Sequence, residues 1–446
     1  MKKKAASLLL LVAGFAGALS AQEKDISKGI PRLDHVFVIV MENHGYQQIV
    51  GNPNEPYLNN LIQKGKVNLA TKYFAVGHPS LTNYLEIVGG SNFGVRSDNA
   101  PNWGSTSCTP NLQSGLVNAD NNLGVTPPDG TQIETGTVCP IAGSGKDAAT
   151  PAVDTWNEIT LGVFNYLADI DGVKSVPAGP TVGETIADQL VRAGKSWKSY
   201  QESLPLGSVF GVNYSNGTAT NLTDFSTLAP LTSKSVVQAY AVKHNPFAYF
   251  KNVQDGDWEN NSLENVGGFD GPRGLYADLA RGDVPNFAFV VPNQCDDQHG
   301  RGNGDAFCAF DPGLPPGNAT VGTTAGLNPG LIQQGDVTIQ RLVEAIKASR
   351  IWDEGRNAIV IVWDENDYSG LLNAPNGGFP LQNQNNVVLT VELNRKGANG
   401  VKSATPYTSF SLLKSIEAAF ELPCLNHACD SNVKVMSDLF RGGDDE

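Results

Sequence analysis

Three runs of consecutive apolar residues stand out along the chain, and each is followed at once by polar side chains. Runs of five to seven β-branched and aromatic residues without alternation are typical of strands buried on both faces. The runs with their followers are His35–Met41 with Glu42-Asn43-His44, Phe287–Val291 with Pro292-Asn293-Gln294-Cys295-Asp296-Asp297-Gln298-His299, and 358–363 with Asp364-Glu365-Asn366-Asp367.

The position of these polar clusters predicts a binding site. In open α/β sheets, ligands bind just beyond the carboxyl ends of the strands. A single acid at such a position is more often a helix cap or a turn residue. Three clusters at equivalent strand ends, widely separated in the chain, instead predict one shared site.

The remaining pattern alternates between helix and strand. Helical periodicity predicts helices over 56–64, 336–349 and 408–420, and Thr181-Val182-Gly183-Glu184 has the form of a capping box that opens another helix. A fourth strand is expected over 386–393. This alternation predicts an α/β fold with a mostly parallel central sheet and helices on both faces. A segment rich in Gly, Asn, Thr and Pro, around 91–177, is expected to form a cap or rim.

The N-terminus has the features of an export signal. A basic head at 2–4, an apolar stretch over 8–19 and small residues at 18–21 predict a signal peptide over residues 1–21. The apolar stretch is shorter than the roughly 20 residues of a membrane span. We therefore expect a secreted or periplasmic protein without a stable membrane anchor. Residues 22–446 are expected to form a single domain with long loop insertions.

The net charge and the cysteine content indicate which binding partners and which cellular compartment to expect. The formal net charge of −14 disfavours binding to nucleic acid. Six cysteines in an exported chain predict disulfides. The natural local pairings are Cys108 with Cys139, Cys295 with Cys308, and Cys424 with Cys429, but spacing alone leaves the connectivity open.

A serine lies at the predicted start of a helix in His78-Pro79-Ser80-Leu81-Thr82-Asn83-Tyr84. One interpretation is an ordinary N-cap serine. The other is a nucleophile at a helix N-terminus, where free N–H groups favour an anion. Asn83, one turn further on, would direct its amide at the same place.

Activation of that serine points to a metal ion. The chain has six histidines and no G-x-S-x-G segment. A divalent cation bound by carboxylates lowers the pKa of a hydroxyl instead. Glu42, Asn43, Asp364 and Glu365 supply hard oxygen ligands that favour Mg²⁺, Ca²⁺ or Mn²⁺, with Zn²⁺ as a further option.

Four segments, taken in order, resemble a known family. They are Val-Phe-Val-Ile-Val-Met-Glu-Asn-His at 36–44, Gly-His-Pro-Ser-Leu-Thr-Asn-Tyr-Leu at 77–85, Val-Pro-Asn-Gln-Cys-Asp-Asp-Gln-His at 291–299 and Val-Ile-Val-Trp-Asp-Glu at 360–365. The chain resembles the phosphoesterase family of secreted acid phosphatases and bacterial phospholipases C, within the alkaline phosphatase superfamily. The resemblance extends over about 35–422. It implies an alkaline phosphatase-like α/β sandwich and the hydrolysis of phosphoester bonds.

The resemblance also implies roles for individual residues. Ser80 would be the nucleophile and would touch one divalent metal ion, and Asn83 would bind a phosphoryl oxygen. The ligands of that ion, besides Ser80, would be Glu42, Asn43, Asp364 and Glu365.

Further residues are expected around the phosphate. His78 and Asp98 are candidate pocket residues. Asp297 and His299 occupy the place where superfamily members bind a second metal or protonate the leaving oxygen. For Lys243 and His244, a contact with phosphate and a role in stabilising the loop are both open.

One departure from the family pattern concerns the number of metal ions. Phosphatases of the family often carry a late Tyr-Thr-His-Tyr-Ser segment, and here it is Tyr407-Thr408-Ser409-Phe410-Ser411. Ser409 replaces the histidine, which favours a one-metal site.

These observations lead to one preferred function and two alternatives. We expect a phosphomonoesterase that acts through a phosphoserine on a small phosphate ester or a phospholipid headgroup. One alternative is a phospholipase C-type phosphodiesterase, although those relatives tend to carry Met-Glu-Asn-Arg-Ser-Phe-Asp where this chain has Met-Glu-Asn-His-Gly-Tyr-Gln at 41–47. The other is a binding or surface protein with little turnover on the same fold.

Overall fold

The computed structural model describes most of the predicted α/β region. The described residues are 29–76, 80–93, 95, 98–101, 138–146, 180–204, 209–213, 215, 239–256, 260–300, 329–366, 386–395 and 398–441. The predicted signal peptide, most of the predicted cap, His78 and Asp367 lie outside them.

Eleven strands form two sheets within this described part. Nine belong to a central sheet in the order β10-β2-β9-β8-β1-β7-β5-β6, with β11 also paired to β2, and β3 and β4 form a separate antiparallel pair. The strands are β1 His35–Met41, β2 Asn68–Phe74, β3 Ser144–Lys146, β4 Pro180–Val182, β5 Trp197–Gln201, β6 Val266–Gly267, β7 Phe287–Val291, β8 Asn357–Trp363, β9 Asn386–Leu393, β10 Lys402–Ser403 and β11 Tyr407–Thr408.

Helices connect these strands, together with short 3-10 turns. The helices are α1 Tyr46–Ile49, α2 Pro56–Gln63, α3 Ser80–Gly89, α4 Ile186–Arg192, α5 Lys251–Asp255, α6 Leu275–Arg281, α7 Pro329–Ala348, α8 Arg350–Asp353 and α9 Ser409–Ala419. The 3-10 turns are Val209–Asn213, Val242–His244, Pro246–Tyr249, Leu263–Asn265 and Asn426–Cys429.

The central sheet is mostly parallel, as the sequence predicts. Within the described ranges its pairings are all parallel except that β9 runs antiparallel to both of its neighbours, β2 and β8. The predicted α/β fold class is therefore confirmed.

Helices cover the sheet in two groups. Helix α3 contacts α4, α9 and the turns Val242–His244 and Pro246–Tyr249, whereas α7 contacts α2, α6 and α8. Every residue of β7, β8 and β9 is buried. Strands buried on both faces need cover on both sides, which fits one helix group on each face.

The element bounds agree with several predictions and correct others. β1, β7 and β9 have the predicted bounds, and β8 begins one residue earlier than predicted. Helix α7 begins at Pro329, well before the predicted position 336. The predicted capping box at Thr181 is wrong: Thr181 lies in β4, and Thr185 caps α4 with Asp188 as its partner.

One of the three predicted disulfides joins two described residues. Cys424 and Cys429 are bonded, which confirms that pairing. The pairings of Cys108 with Cys139 and of Cys295 with Cys308 each include a residue outside the described ranges, and they stay predictions.

In the described part of the chain, none of the helices is both long enough and apolar enough to cross a bilayer.

Candidate active site

The three strand ends identified in the sequence meet at one edge of the sheet. β1 lies between β8 and β7 and is parallel to both, with Met41 paired to Trp363 and Ile39 to Val290. Just beyond β1, the Glu42 backbone N–H donates to the carbonyl of Asp297 over 2.8 Å. The predicted convergence of the three polar clusters is therefore confirmed.

Ser80 is brought to this edge by helix α3, of which it is the first residue. The side chain is buried, and its Oγ lies 2.9 Å from Oε1 of Glu365 and 3.2 Å from Oε2 of Glu42. The single hydroxyl proton can be donated to only one of these carboxylates at a time. Ser80 thus faces carboxylates instead of capping the N–H groups of its own helix.

Asp364 joins the two carboxylates that contact Ser80 in one buried cluster. Oxygen atoms of Glu42, Asp364 and Glu365 all lie within 4.8 Å of one another. Burial raises the pKa of Asp364 well above its usual value, and the neighbouring charges of Glu42 and Glu365 raise it further. Asp364 Oδ1 accepts a hydrogen bond from the Asn43 N–H over 3.1 Å, whereas Oδ2 has no hydrogen-bond partner among the described residues.

This donor set fits a divalent cation. Three carboxylates at such distances repel one another, and a cation between them would relieve the repulsion. Their hard oxygen atoms suit Mg²⁺, Ca²⁺ or Mn²⁺. Asn43 adopts a left-handed backbone with φ of 59°, which turns the chain sharply just after Glu42.

Asn83 lies on the same side of helix α3 as Ser80. Its Nδ2 donates to Oε2 of Glu365 over 3.2 Å, so Ser80 and Asn83 approach different oxygens of one carboxylate. The predicted proximity of the amide to the serine is present in the structure.

His244 joins Glu42 to Asp297. Its Nε2 lies 2.9 Å from Oε1 of Glu42, and its Nδ1 lies 3.4 Å from Oδ2 of Asp297. Burial acts to lower the pKa of His244, but the two carboxylates outweigh it and raise the pKa to about 9. The ring stacks on Tyr84, with centroids 5.1 Å apart, which fixes its plane.

His299 has a different environment. Its Nδ1 lies 2.6 Å from the carbonyl of Gly300, and its Nε2 lies 3.2 Å from Nζ of Lys243. A neutral ring satisfies both contacts when Nδ1–H donates to the carbonyl and Nε2 accepts from the ammonium. Burial lowers the pKa of His299 well below its usual value, and the charge of Lys243 adds to that effect.

Lys243 links His299 to the helix of the candidate nucleophile. Its Nζ donates to Oδ2 of Asp98 over 2.8 Å, and Oδ1 of Asp98 accepts from the N–H of Leu81, the residue after Ser80. Burial acts to lower the pKa of Lys243, but Asp98 and Glu42 outweigh it, so the ammonium stays charged.

These contacts close on themselves. His299 N–H donates to Oδ1 of Asp297 over 2.7 Å, which joins the two branches. We call the set the contact ring; it closes through the N–H of Leu81, the residue after Ser80, and its members are Ser80, Glu42, His244, Asp297, His299, Lys243, Asp98 and Leu81.

The structure thus places nearly all predicted site residues at one location. Asp98, Asn83 and Ser80 lie on or beside α3, and the others lie at strand ends or in the turn Val242–His244. His78 falls outside the described residues. The sequence did not identify Tyr84 as a site residue, although it lies one helical turn after Ser80. It also did not place Lys243, which directly precedes His244, at the centre of these contacts.

The fold and site together define an α/β protein with a carboxylate-rich centre around a buried serine. The chain belongs to the Phosphoesterase family, whose model matches residues 52–307. The predicted membership of the phosphoesterase family is therefore confirmed.

Individual relatives share only part of their length with this chain. It is 36% identical over 109 residues to a phosphatidylinositol-3-phosphatase of Mycobacterium tuberculosis, covering 24% of this chain and 35% of that protein. It is 22% identical over 263 residues to an acid phosphatase of Aspergillus fumigatus, covering 59% of this chain and 36% of that protein. The matched part is thus little more than a third of either relative's length.

Similarity to solved structures is broad in coverage but low in score. The lipoteichoic acid synthase LtaP of Listeria monocytogenes matches with a TM-score of 0.42 and 11% identity, over 93% of this chain and 77% of that chain.

Proposed function

We propose that this protein is a secreted, metal-dependent phosphomonoesterase that acts through a phosphoserine on Ser80. The observation that carries the proposal is the placement of the Ser80 hydroxyl between Glu42 and Glu365, at the first residue of a helix. The family membership and the acid phosphatase among the relatives support this reaction class. The predicted signal peptide and the Cys424–Cys429 disulfide support export.

In the first step, Ser80 Oγ attacks the phosphorus in line with the ester oxygen. The new Oγ–P bond forms as the bond between phosphorus and the ester oxygen breaks, and the hydroxyl proton passes by way of the adjacent Glu365 to the ester oxygen, which leaves as the alcohol. A divalent cation held by Glu42, Asn43, Asp364 and Glu365 would stabilise the phosphoryl charge and lower the pKa of the Ser80 hydroxyl. Asn83 would donate an amide hydrogen bond to a phosphoryl oxygen.

In the second step, water attacks the phosphoserine and releases inorganic phosphate. The bond between phosphorus and the Ser80 oxygen breaks, and one water proton passes to that oxygen by way of Glu365, the nearest group, while the water oxygen and its other proton leave with the phosphate. The two steps together consume one water and regenerate the serine.

The other predicted site residues are connected to Ser80 only indirectly, through side chains that lie between them. Asp297 is connected to it through His244 and Glu42, and His299 through Lys243 and Asp98. We assign them to positioning of the contact ring. Asp98 and His244 belong with them, because both oxygens of Asp98 and both ring nitrogens of His244 already contact protein groups.

A comparison of two chromogenic substrates tests the reaction class. We expect the purified protein to hydrolyse p-nitrophenyl phosphate faster than bis-p-nitrophenyl phosphate, to lose activity in EDTA and to regain it with Mg²⁺, Mn²⁺, Ca²⁺ or Zn²⁺. Faster hydrolysis of the diester would favour the phosphodiesterase. No turnover of either ester with any of these metals would overturn the enzyme assignment in favour of a binding protein.

A further inference from the structure

Two groups of side chains in this site could hold a metal ion, and they share Glu42. The first is Glu42 with Asp364 and Glu365, and the second is Glu42 with His244 and His299. Both have ligand atoms within 4.8 Å of one another. Spacing alone therefore does not tell how many cations the protein holds.

The charges around the two groups differ. The first group consists of three carboxylates and contains no cationic side chain. The second group has the ammonium of Lys243 against it, because Nζ lies 3.2 Å from Nε2 of His299.

Lys243 contacts the ring nitrogen of His299 that would have to coordinate a metal ion. Nδ1 of His299 faces the Gly300 carbonyl at 2.6 Å, which leaves Nε2 as the nitrogen directed at Lys243. A cation bound there would have to displace the ammonium or lie beside it. Like charges so close together in a buried site repel strongly.

Lys243 is also held in place from its other side. Its side chain is 9% exposed, and Nζ donates to the buried Asp98, which in turn accepts from the N–H of Leu81. Moving the ammonium away would leave the Asp98 carboxylate buried without its counter-ion, which is costly. The positive charge is therefore a fixed part of the site.

We propose that Lys243 excludes a second divalent cation from Glu42, His244 and His299, so that the protein holds one cation and keeps a side-chain charge beside it. The inference rests on the proposed function for the first cation. In this role Lys243 determines how many cations bind: removing its charge converts a one-metal site into a two-metal site.

Metal stoichiometry tests this without reference to activity. Metal-free protein is equilibrated with excess Zn²⁺, freed of unbound ion by gel filtration and measured by elemental mass spectrometry. Zn²⁺ is the probe because it accepts both imidazole and carboxylate ligands. We expect one equivalent in the wild type and two in Lys243→Met/Asp98→Asn. The double variant removes both charges while keeping an oxygen acceptor for Leu81 N–H and side chains of similar size.

Two further variants control the interpretation. Lys198→Met/Asp278→Asn removes another lysine–carboxylate pair, with Nζ and Oδ2 2.6 Å apart, and is expected to keep one equivalent. Adding His244→Ala to Lys243→Met/Asp98→Asn is expected to return the count from two to one, which locates the second ion.

The outcomes separate this inference from the proposed function. Two equivalents in the wild type, one in Lys243→Met/Asp98→Asn, or two after the addition of His244→Ala would each overturn the role of Lys243 alone. No bound Zn²⁺ in the wild type would overturn the metal dependence of the proposed function, and the inference would fall with it.

Discussion

Replacing Ser80 by alanine is expected to lower kcat for p-nitrophenyl phosphate by at least about 10³-fold, because the group that forms the covalent bond is gone. The fold should survive, since the change removes one buried hydroxyl from the start of α3. Steady-state kinetics with matched circular dichroism spectra measure both effects.

Ser415 offers a matched control. It is also a buried serine in a helix, and its Oγ donates to the carbonyl of Ser411 over 2.7 Å, outside the contact ring. Ser415 Oγ also accepts from the N–H of Met436 over 2.8 Å, so Ser415→Ala is expected to cost about 2 kcal/mol of stability through the two lost hydrogen bonds, with kcat close to wild type. Equal activity in Ser80→Ala and Ser415→Ala would remove Ser80 from the mechanism.

Replacing Asp364 by asparagine is expected to have the second-largest effect. The variant loses one of three carboxylates in the proposed metal site, so the affinity for the activating cation should fall by roughly 100-fold or more, and turnover with it. Isothermal titration with Mn²⁺ or Zn²⁺ measures the affinity directly.

Without metal, Asp364→Asn is expected to be more stable than the wild type, although it binds the cation more weakly. Burial and the neighbouring carboxylates raise the pKa of Asp364 in the folded protein, so the unfolded chain ionises this group at lower pH than the folded one does. Wild-type stability therefore falls as the pH rises above the ordinary aspartate pKa. Metal-free Asp364→Asn is expected to melt at a higher temperature than metal-free wild type at neutral pH.

Glu417 provides the control for Asp364. It is fully buried in α9, and burial raises its pKa well above the usual value. Glu417→Gln also replaces a buried carboxyl by an amide, but it should leave the cation affinity unchanged. If Glu417→Gln weakened cation binding as much as Asp364→Asn, the proposed ligand set would be wrong.

The strands around the site could be predicted because each carries its own signal. β1, β7 and β8 are continuous apolar runs, and the polar residues after them come directly from the chain order. Parallel strands place such ends at one edge, so Glu42, Asp297 and Asp364 could be grouped without a structure.

The contact ring could not be predicted in the same way. Lys243 contacts Asp98, which is 145 positions away in the sequence, and His299, which is 56 positions away. No local periodicity in the sequence indicates either contact. The turn Val242–His244 is too short to produce a pattern. Only the packing of that turn against α3 reveals the connection.

The two clearest errors in the elements have tertiary causes. Thr181 matches the spacing of a capping box, but pairing of β4 with β3 keeps it in a strand and leaves the cap to Thr185. Helix α7 starts early despite Gly330 and Gly335, residues that weaken helices. At Gly335 a side chain would come within 2.2 Å of Gln298, so this glycine allows α7 to pack closely against the loop of Asp297 and His299.

The central claim is that the phosphoryl group passes through Ser80, and trapping the intermediate tests it most directly. Protein mixed with excess p-nitrophenyl phosphate is quenched in acid within the first turnovers, digested and analysed by mass spectrometry. We predict a phosphorylated peptide with the modification on Ser80, and none from metal-free protein or from Ser80→Ala. Rapid turnover by wild-type protein with an unmodified Ser80 peptide at every quench time, or with the phosphate on another residue, would contradict the account.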